Sequence, residues 1–255
     1  MNNELIVQHF FENLGYHVEK IPEGKLKSPD FLITDNDSSF IVELKTKFPR
    51  LEDRRNRDQV LGSGDIYKIH EDISRRNTLS GIIKKAGLQL SQIDKKQFLR
   101  VVWLQATDYM AELRMAQFEA TLYGLTRIIF DEKEPQVKDC YFFHNSEFYR
   151  YRHTIDGAIV STETQAKLLL NPLSPRYLGI EESSLRKHFG NAVVNPINLE
   201  SEGKAFIVES DIDRLDCESV LSYLCTKYKI DNAMNLPTNY LSGTMTIPDI
   251  FSNPL

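Results

Sequence analysis

The sequence predicts an α/β fold in which a mixed central sheet is flanked by helices, followed by an additional α+β region. Residues 3 to 14 carry apolar side chains at helical spacing. Residues 98 to 106, FLRVVWLQA, form a nearly unbroken apolar run, which is typical of a strand buried on both faces. After residue 130 the order shifts towards short strands. We therefore expect a core over residues 1–130 and an α+β region over residues 131–255.

The remaining elements follow from periodicity and from turn residues. In the core we expect a helix at 3–14, a strand at 16–21, hairpin arms at 31–33 and 40–44, a polar arginine-rich connection after 47, helices at 65–74 and 80–93, a strand at 98–106 and a helix through 117–123. In the second region we expect an antiparallel group of strands within 140–144, 148–160 and 166–172, a helix at 182–188, a strand at 204–210, a helix at 217–228 and an irregular tail over 234–255.

Composition excludes several classes of protein. The 255 residues are 41% hydrophobic and 26% charged, as in globular proteins. The sequence contains no apolar run long enough to span a membrane, and its N-terminus lacks the layout of a signal peptide, so we expect a cytoplasmic protein with no membrane partner. The three cysteines lack CxxC spacing, which argues against a disulfide framework and against a thiolate zinc site. The six histidines lack HxH and HExxH spacing, so a histidine metal centre has little support.

Charge is distributed unevenly along the chain. Residues 1 to 100 hold 17 Lys and Arg against 15 Asp and Glu, although the net charge of the whole chain is -5. Residues 45–57 carry six basic and two acidic groups, and residues 75–100 carry seven basic and one acidic. Local basic patches attract phosphates, so these segments are candidates for binding nucleic acid. The alternative is that each patch is only the solvated face of its element.

A predicted hairpin carries the most informative charges. Its arms, residues 31–33 and 40–44, are β-branched or aromatic, and the Asp-Asn-Asp-Ser stretch between them has turn chemistry. With the turn centred between Asn36 and Asp37, the register follows directly. One acidic residue of each arm then faces the other.

Those two residues are Asp30 and Glu43. Opposed residues on paired strands have Cβ atoms about 4.5 to 5.5 Å apart, so the two carboxylates repel each other unless a cation lies between them. Lys45 projects from the same face as Glu43, because side chains alternate along a strand. The alternative is a hairpin whose rim charges are simply solvated.

This arrangement suits metal-dependent hydrolysis of a phosphodiester. Mg²⁺ takes one or two protein carboxylates and keeps several waters, and an adjacent lysine stabilises developing phosphate charge or orients the attacking water. Glu4 lies on the same helical stripe as Val7, Phe11 and Leu14, so it heads the buried face of the first helix. A carboxylate there is unusual unless it has a partner.

Together, the first helix, Pro29-Asp30 and the following Glu43-Leu44-Lys45 resemble the PD-(D/E)xK, or restriction-endonuclease-like, nuclease superfamily. The relation of Glu4 to the helix-ending Gly15 resembles that in archaeal Holliday-junction resolvases. The resemblance covers roughly residues 3–106 and implies a restriction-endonuclease-like core.

The resemblance also implies residue roles. Asp30 and Glu43 become metal ligands, the Leu44 carbonyl a third ligand, Lys45 the catalytic lysine and Glu4 an auxiliary acid. Mg²⁺ is the expected cofactor, and Mn²⁺ is its expected substitute. Residues expected to contact nucleic acid are Lys47, Arg54, Arg55, Lys84, Lys85 and Gln89.

Two functions of different classes remain open. The first is a Mg²⁺-dependent DNA endonuclease of the restriction, phage defence or repair type, in which residues 131–255 serve substrate recognition or assembly. The second is a catalytically inactive nuclease-fold module that binds nucleic acid or a protein partner. Cutting two strands with one site per chain commonly needs a dimer, so the expected partners are DNA and either a second copy of the chain or another protein.

Three further patterns have two interpretations each. Asp211, Asp213 and Asp216 form either a second acidic site or, as we favour, the cap of the following helix. The aromatic and basic residues of 149–153 either pack in a strand, as we favour, or stack on bases. Gln105 to Tyr109 matches the Gln-x-x-x-Tyr sequence pattern of some exonucleases. In those enzymes the pattern lies on a helix, whereas here it follows a predicted strand, so we interpret the match as coincidence.

Overall fold

A computed structural model describes residues 3–22, 24, 27–48, 51–93, 97–107, 109–131, 133–236 and 240–245. The α-helices within these residues are α1 Asn3–Asn13, α2 Leu51–Gly62, α3 Asn77–Leu90, α4 Ala111–Tyr123, α5 Glu147–Arg150, α6 Tyr177–Glu181, α7 Ser184–Phe189, α8 Pro196–Ser201 and α9 Cys217–Tyr228. The strands are β1 His17–Lys20, β2 Phe31–Thr34, β3 Ser39–Lys47, β4 Tyr67–Asp72, β5 Leu99–Ala106, β6 Thr126–Phe130, β7 Gln136–Tyr141, β8 Gly157–Ser161, β9 Ala166–Leu170, β10 Val193–Val194, β11 Ala205–Ile207, β12 Ala233–Leu236 and β13 Tyr240–Met245. No helix in this part of the chain is long and apolar enough to cross a lipid bilayer.

The fold is mixed α/β, and its largest sheet has seven strands in the order β1-β2-β3-β5-β8-β9-β10. The strands β1, β2 and β3 form an antiparallel meander, and β5 then pairs parallel with β3. Parallel pairing requires a crossover, and the chain between β3 and β5 contains α2, β4 and α3. Every residue of β5 is buried, as the sequence predicts for a strand covered on both faces.

Two hydrophobic cores lie on opposite faces of this sheet. On one face α1 packs Val7 and Phe11 against Val101 and Trp103 of β5. On the other, α3 and α4 pack against the alternate residues of β3 and β5. The members of this second core on those helices and strands include Ile41, Leu79, Ile83, Leu90, Val102, Leu104, Phe118 and Leu122. The face of β3 that carries Glu43 and Lys45 is therefore the face that α3 covers.

Two smaller sheets complete the structure. The strands β11, β7, β6 and β12 form a four-stranded sheet, and β4 pairs antiparallel with β13 as a two-stranded ribbon. The short strands expected after residue 130 therefore do not form one separate group. Strands β8, β9 and β10 extend the large sheet, whereas β7, β11 and β12 belong to the four-stranded sheet. The large sheet takes strands from both sides of residue 130.

The segment between β3 and α3 differs from prediction. The polar connection after residue 47 contains helix α2, none of whose residues is buried. Propensity and the acidic residues Glu52 and Asp53 in its first turn favour a helix there, but it has no apolar stripe to predict it. The predicted helix at 65–74 is wrong, because residues 67–72 form β4 and pair with a segment far along the chain.

Two further predictions are wrong in part. The strand expected over 148–160 contains helix α5 and a turn before β8, because the Ser146 side chain accepts a hydrogen bond from Tyr149 N and caps the helix. The tail expected to be irregular contains β12 and β13, and residues 246–255 lie outside the described part of the chain. The helix predicted at 182–188 corresponds to α7, and α1, α3, α4, α9, β5 and β9 were predicted to within a few residues.

Candidate active site

The hairpin register that we predicted is confirmed by the pairing of β2 with β3. Phe31 pairs with Val42, and Thr34 pairs with Ser39 at the other end. Asp30 lies immediately before this ladder, and its backbone N–H donates to the Val42 carbonyl over 3.1 Å. The first acidic residue therefore stands at the mouth of the hairpin, next to Glu43.

The Asp30 side chain completes the end of the ladder. Its Oδ2 accepts a hydrogen bond of 2.7 Å from the backbone N–H of Leu44. This N–H lies beyond the last residue of β3 that pairs with β2, so the carboxylate satisfies a donor that the neighbouring strand does not reach. The pKa of Asp30 is nevertheless raised, mainly by burial, while the Leu44 hydrogen bond and the Lys45 charge oppose that rise.

Glu43 is completely buried, which is rare for a carboxylate. Burial raises its pKa to about 8; Lys45 opposes the rise, and the neighbouring Asp30 charge adds to it. The two carboxyl groups lie close enough to perturb each other's pKa. Lys45 contacts Glu43 Oε1, but no donor among the described residues reaches Glu43 Oε2. One buried carboxylate oxygen is thus left without a partner.

Lys45 is held from two sides. Its ammonium forms an ion pair with Glu43 and donates a hydrogen bond of 2.8 Å to Gln89 Oε1 on α3. Gln89 in turn donates from Nε2 to the Ser28 carbonyl over 3.1 Å. These contacts place Gln89 beside Lys45. A single amide fixes both the lysine and the loop that leads into Asp30.

Glu4 lies close enough to Asp30 for its charge to raise the pKa of that residue. It is partly exposed, at the end of the buried face of α1, and its partner is Lys20, whose Nζ lies 2.5 Å from Glu4 Oε2. Asn3 Nδ2 donates to Thr46 Oγ1 over 3.1 Å, which fixes the start of α1 against the end of β3. The first turn of α1 therefore borders the carboxylate pair.

The residues fit a divalent cation with few protein ligands. Among the described residues no group of three or more His, Cys, Asp or Glu side chains is arranged to hold a metal ion. Two carboxylates do converge, and the partnerless Glu43 Oε2 is what a cation would satisfy. A strand residue directs its N–H and C=O to the same edge, so the Leu44 carbonyl faces the edge where Asp30 lies.

The predicted basic residues surround this centre unevenly. Lys47 lines a cavity of about 440 Å³ at the end of β3, and Arg54 lines a different one. Lys85 is exposed on α3, one turn before Gln89 and on the same stripe. The remaining two, Arg55 and Lys84, are exposed on α2 and α3.

A charged network beside Lys47 was not predicted. Arg114 donates to Glu71 over 3.0 Å, Arg76 lies 2.5 Å from Asp72, and the buried Gln117 donates to the Asp72 carbonyl over 2.8 Å. These contacts join β4 to α4 and to the residue that precedes α3. The sequence did not predict this network, because residues 67–72 were predicted to be helical. A helix would direct the Glu71 and Asp72 side chains differently from the strand that the structure shows.

The other patterns have structural explanations. Asp216 accepts from Ser219 N over 3.1 Å at the N-terminus of α9, so the capping interpretation is confirmed for Asp216. Asp213 instead accepts from Leu215 N over 2.9 Å. Tyr149 lies on α5, with its hydroxyl 3.0 Å from Asp211 and the Arg152 guanidinium 4.5 Å from its ring centre. Packing in a strand is therefore not its role. Gln105 is on β5 and precedes a turn, so the Gln-x-x-x-Tyr spelling does not lie on one helix.

Comparison with protein-family models, with curated proteins and with solved structures finds no match for this chain.

Proposed function

We propose that this protein is a Mg²⁺-dependent nuclease that hydrolyses phosphodiester bonds, with DNA as its substrate and Mn²⁺ able to replace Mg²⁺. The observation that carries the proposal is the buried Glu43 carboxyl group next to the half-buried Asp30, with the ammonium of Lys45 beside them. Structural ion pairs seldom leave a buried carboxylate oxygen without a donor, because its desolvation is then uncompensated. A site that a cation completes explains this oxygen.

In this proposal each side chain has a distinct task. Asp30, Glu43 and the Leu44 carbonyl hold the metal, which when bound supplies a Lewis acid and an acidified water. The Lys45 ammonium donates to an oxygen of the phosphate as negative charge develops there, and Gln89 keeps that ammonium in place. Glu4 serves as an auxiliary acid beside Asp30.

The topology supports a restriction-endonuclease-like core. A helix that borders the site precedes the antiparallel meander, a helix bearing Lys84, Lys85 and Gln89 follows it, and the buried strand β5 pairs parallel with β3. This is the order that the resemblance implies. Lys47 at the end of β3 and Arg55 on α2 are proposed to bind phosphates, while Arg54 lines a separate cavity.

The second candidate is a nuclease-fold module that binds nucleic acid or a protein without cutting. It is favoured by one observation, namely that no third acidic side chain joins the pair among the described residues. The two candidates differ in whether any metal supports cleavage.

The deciding experiment incubates the purified protein with plasmid DNA, linear duplex DNA, single-stranded DNA and RNA, each in Mg²⁺, Mn²⁺ or EDTA. Cleavage with metal, its loss in EDTA and its loss in Asp30→Asn and Lys45→Ala are the expected results. Asp37→Asn is the matched control, because Asp37 is exposed at the tip of the same hairpin. If folded wild-type protein cuts no substrate with any metal, the binding module becomes the better explanation. Gel filtration with light scattering tests whether the active species is a homodimer.

A further inference from the structure

A cavity of about 570 Å³ opens at the end of the central sheet, beyond the C-terminal ends of β3, β5 and β8. This end of parallel strands is where open α/β sheets commonly bind ligands. The cavity has a lining that includes Asn3, Phe48, Arg54, Gln105, Thr107 and Glu163. Its volume is within the range of small-molecule sites.

The cavity wall contains polar groups without partners. Gln105 is only 2% exposed, and its Oε1 has no hydrogen-bond donor among the described residues. The Thr107 hydroxyl oxygen is likewise buried, with no hydrogen-bond partner in the described part of the chain. Buried polar groups are nearly always satisfied, so two adjacent exceptions in one cavity point to a missing ligand. Rotation about the last side-chain torsion of Gln105 can turn either its oxygen or its amide nitrogen towards that ligand.

The other lining residues narrow the chemistry of that ligand. Phe48 is 54% exposed, and Arg54 reaches the cavity from α2. An exposed aromatic ring and a guanidinium both stack on flat heterocycles, and a glutamine amide matches the hydrogen-bonding edge of a nucleobase. The single Arg and single Glu in the lining balance in charge, so the wall suits an uncharged ring better than a phosphate.

The cavity adjoins the candidate active site. Asn3 lines the cavity, while the next residue, Glu4, acts electrostatically on Asp30. Phe48 follows Lys45 by three strand positions, a separation of roughly 10 Å. Because side chains alternate along β3, Thr46 faces α1 whereas Lys45 faces α3, so a strand that crosses the end of β3 reaches both places.

We propose that this cavity receives one unpaired nucleobase of the substrate strand, next to the phosphodiester that is cut. The inference rests on the proposed function for the identity of the substrate as nucleic acid, and it adds that the substrate is single-stranded or carries an unpaired nucleotide near the cut. A base in a duplex must first be unstacked and unpaired before it can enter, so an unpaired base enters more readily.

The test measures equilibrium binding by fluorescence anisotropy in EDTA, so that no cleavage occurs. The probes are a labelled 20-nucleotide single strand, its blunt duplex, and a strand of the same length in which the bases are replaced by abasic sites. The variants are Gln105→Met and Phe48→Ala, with Leu51→Ala as the control because Leu51 is exposed near Phe48 but does not line the cavity. Thermal unfolding of each variant is measured in parallel.

We expect the wild-type protein to bind the single strand at least about 10-fold more tightly than the duplex, and Gln105→Met and Phe48→Ala to lose at least about 5-fold on the single strand. The Leu51→Ala protein should bind as wild type does, and on the abasic strand all four proteins should bind alike. The melting temperature of Gln105→Met shows whether any loss of binding comes from a loss of folding.

Equal binding of single strand and duplex, absence of binding to either, or an unchanged affinity in folded Gln105→Met overturns the inference. The outcome is separable from that of the cleavage assay. Strand binding that depends on Gln105 in a protein that never cuts refutes the hydrolytic function alone. Cleavage without any preference for unpaired bases refutes the cavity's role alone.

Discussion

The Nζ of Lys45 donates a hydrogen bond of 2.8 Å to Oε1 of Gln89, which ties the end of β3 to the last turn of α3. The same amide donates to the Ser28 carbonyl, so one side chain spans the two chain segments that carry the proposed catalytic groups.

The first prediction concerns this amide. Gln89→Leu leaves the Lys45 ammonium with only its Glu43 partner, and we expect kcat for DNA cleavage to fall about 10-fold to 100-fold with a smaller change in KM, because the lysine is misplaced and not removed. The control is Gln92→Leu, because Gln92 is exposed beyond the same helix end and its side chain donates to the Leu88 carbonyl. Equal kcat values in the two variants would contradict a positioning role for Gln89.

The second prediction concerns metal and stability without any substrate. Mg²⁺ should raise the melting temperature of wild-type protein, because it binds the folded site alone, and the gain reaches about 2.7 kcal/mol when its concentration is 100 times Kd. Asp30→Asn should abolish this response, while Asp37→Asn at the tip of the hairpin should keep it. A response that survives in Asp30→Asn would place the metal elsewhere.

The third prediction is a pH dependence. Burial raises the pKa of Glu43 to about 8 from its ordinary 4.5, so the folded state holds this proton more tightly than the unfolded state does. In EDTA its contribution to stability is therefore fully present below about pH 4.5 and is lost as pH rises to about 8. The free energy of unfolding should fall by at most about 1.4 kcal/mol per pH unit in that interval. Urea unfolding between pH 4.5 and 8 measures it, and Glu43→Gln should show a shallower slope. If the free energy of unfolding depends on pH equally in both proteins, Glu43 is not the group whose raised pKa causes the dependence.

The fourth prediction separates stability from activity at the same residue. Glu43→Gln removes a buried carboxylate whose ionisation is disfavoured, so in EDTA above pH 8 the variant should unfold at a higher temperature than wild type. It should also lose cleavage, because the proposed metal loses a charged ligand. Lower stability of the variant at high pH would contradict the destabilising effect of the buried Glu43 charge. Full activity would contradict the role of Glu43 as a metal ligand.

The fifth prediction concerns the turn after α4. Gly124 has φ +60°, and a Cβ there would lie 2.2 Å from the His144 carbonyl oxygen, whereas Gly203 has φ +69° and open space around it. Gly203→Ala should cost about 1 kcal/mol, the price of a left-handed alanine, and Gly124→Ala should cost about 3 kcal/mol or more because backbone must also move. Chemical denaturation compares the two, and equal costs would show that the turn at Gly124 adapts.

The candidate site was predictable from sequence because its geometry is local. Turn residues set the register of the hairpin, and the register brings Asp30 next to Glu43 without reference to the rest of the fold. The sequence predicted that Gln89 lies near the site but not that it contacts Lys45, because that contact depends on how α3 lies across the sheet.

The errors arise where a segment's structure is determined by a distant partner. The periodicity of residues 65–74 is ambiguous, and β4 is a strand because β13, far along the chain, pairs with it. The aromatic and basic residues of 149–153 alternate as they would in a strand, yet the segment begins with a helix because the Ser146 side chain caps its N-terminus. Nothing in the sequence predicts that Gln105 Oε1 is buried without a hydrogen-bond donor among the described residues, because burial and hydrogen bonding depend on tertiary structure.

The pairing of β5 with β8 has a consequence for any shortened form of the molecule. A fragment that stops at residue 130 keeps the hairpin and Lys45 but leaves β5 as a long apolar edge, with its hydrogen-bonding groups open to other chains. Such a fragment should aggregate when it is expressed alone. Any replacement of residues 131–255 by another sequence would therefore have to supply a strand that pairs with β5 in place of β8.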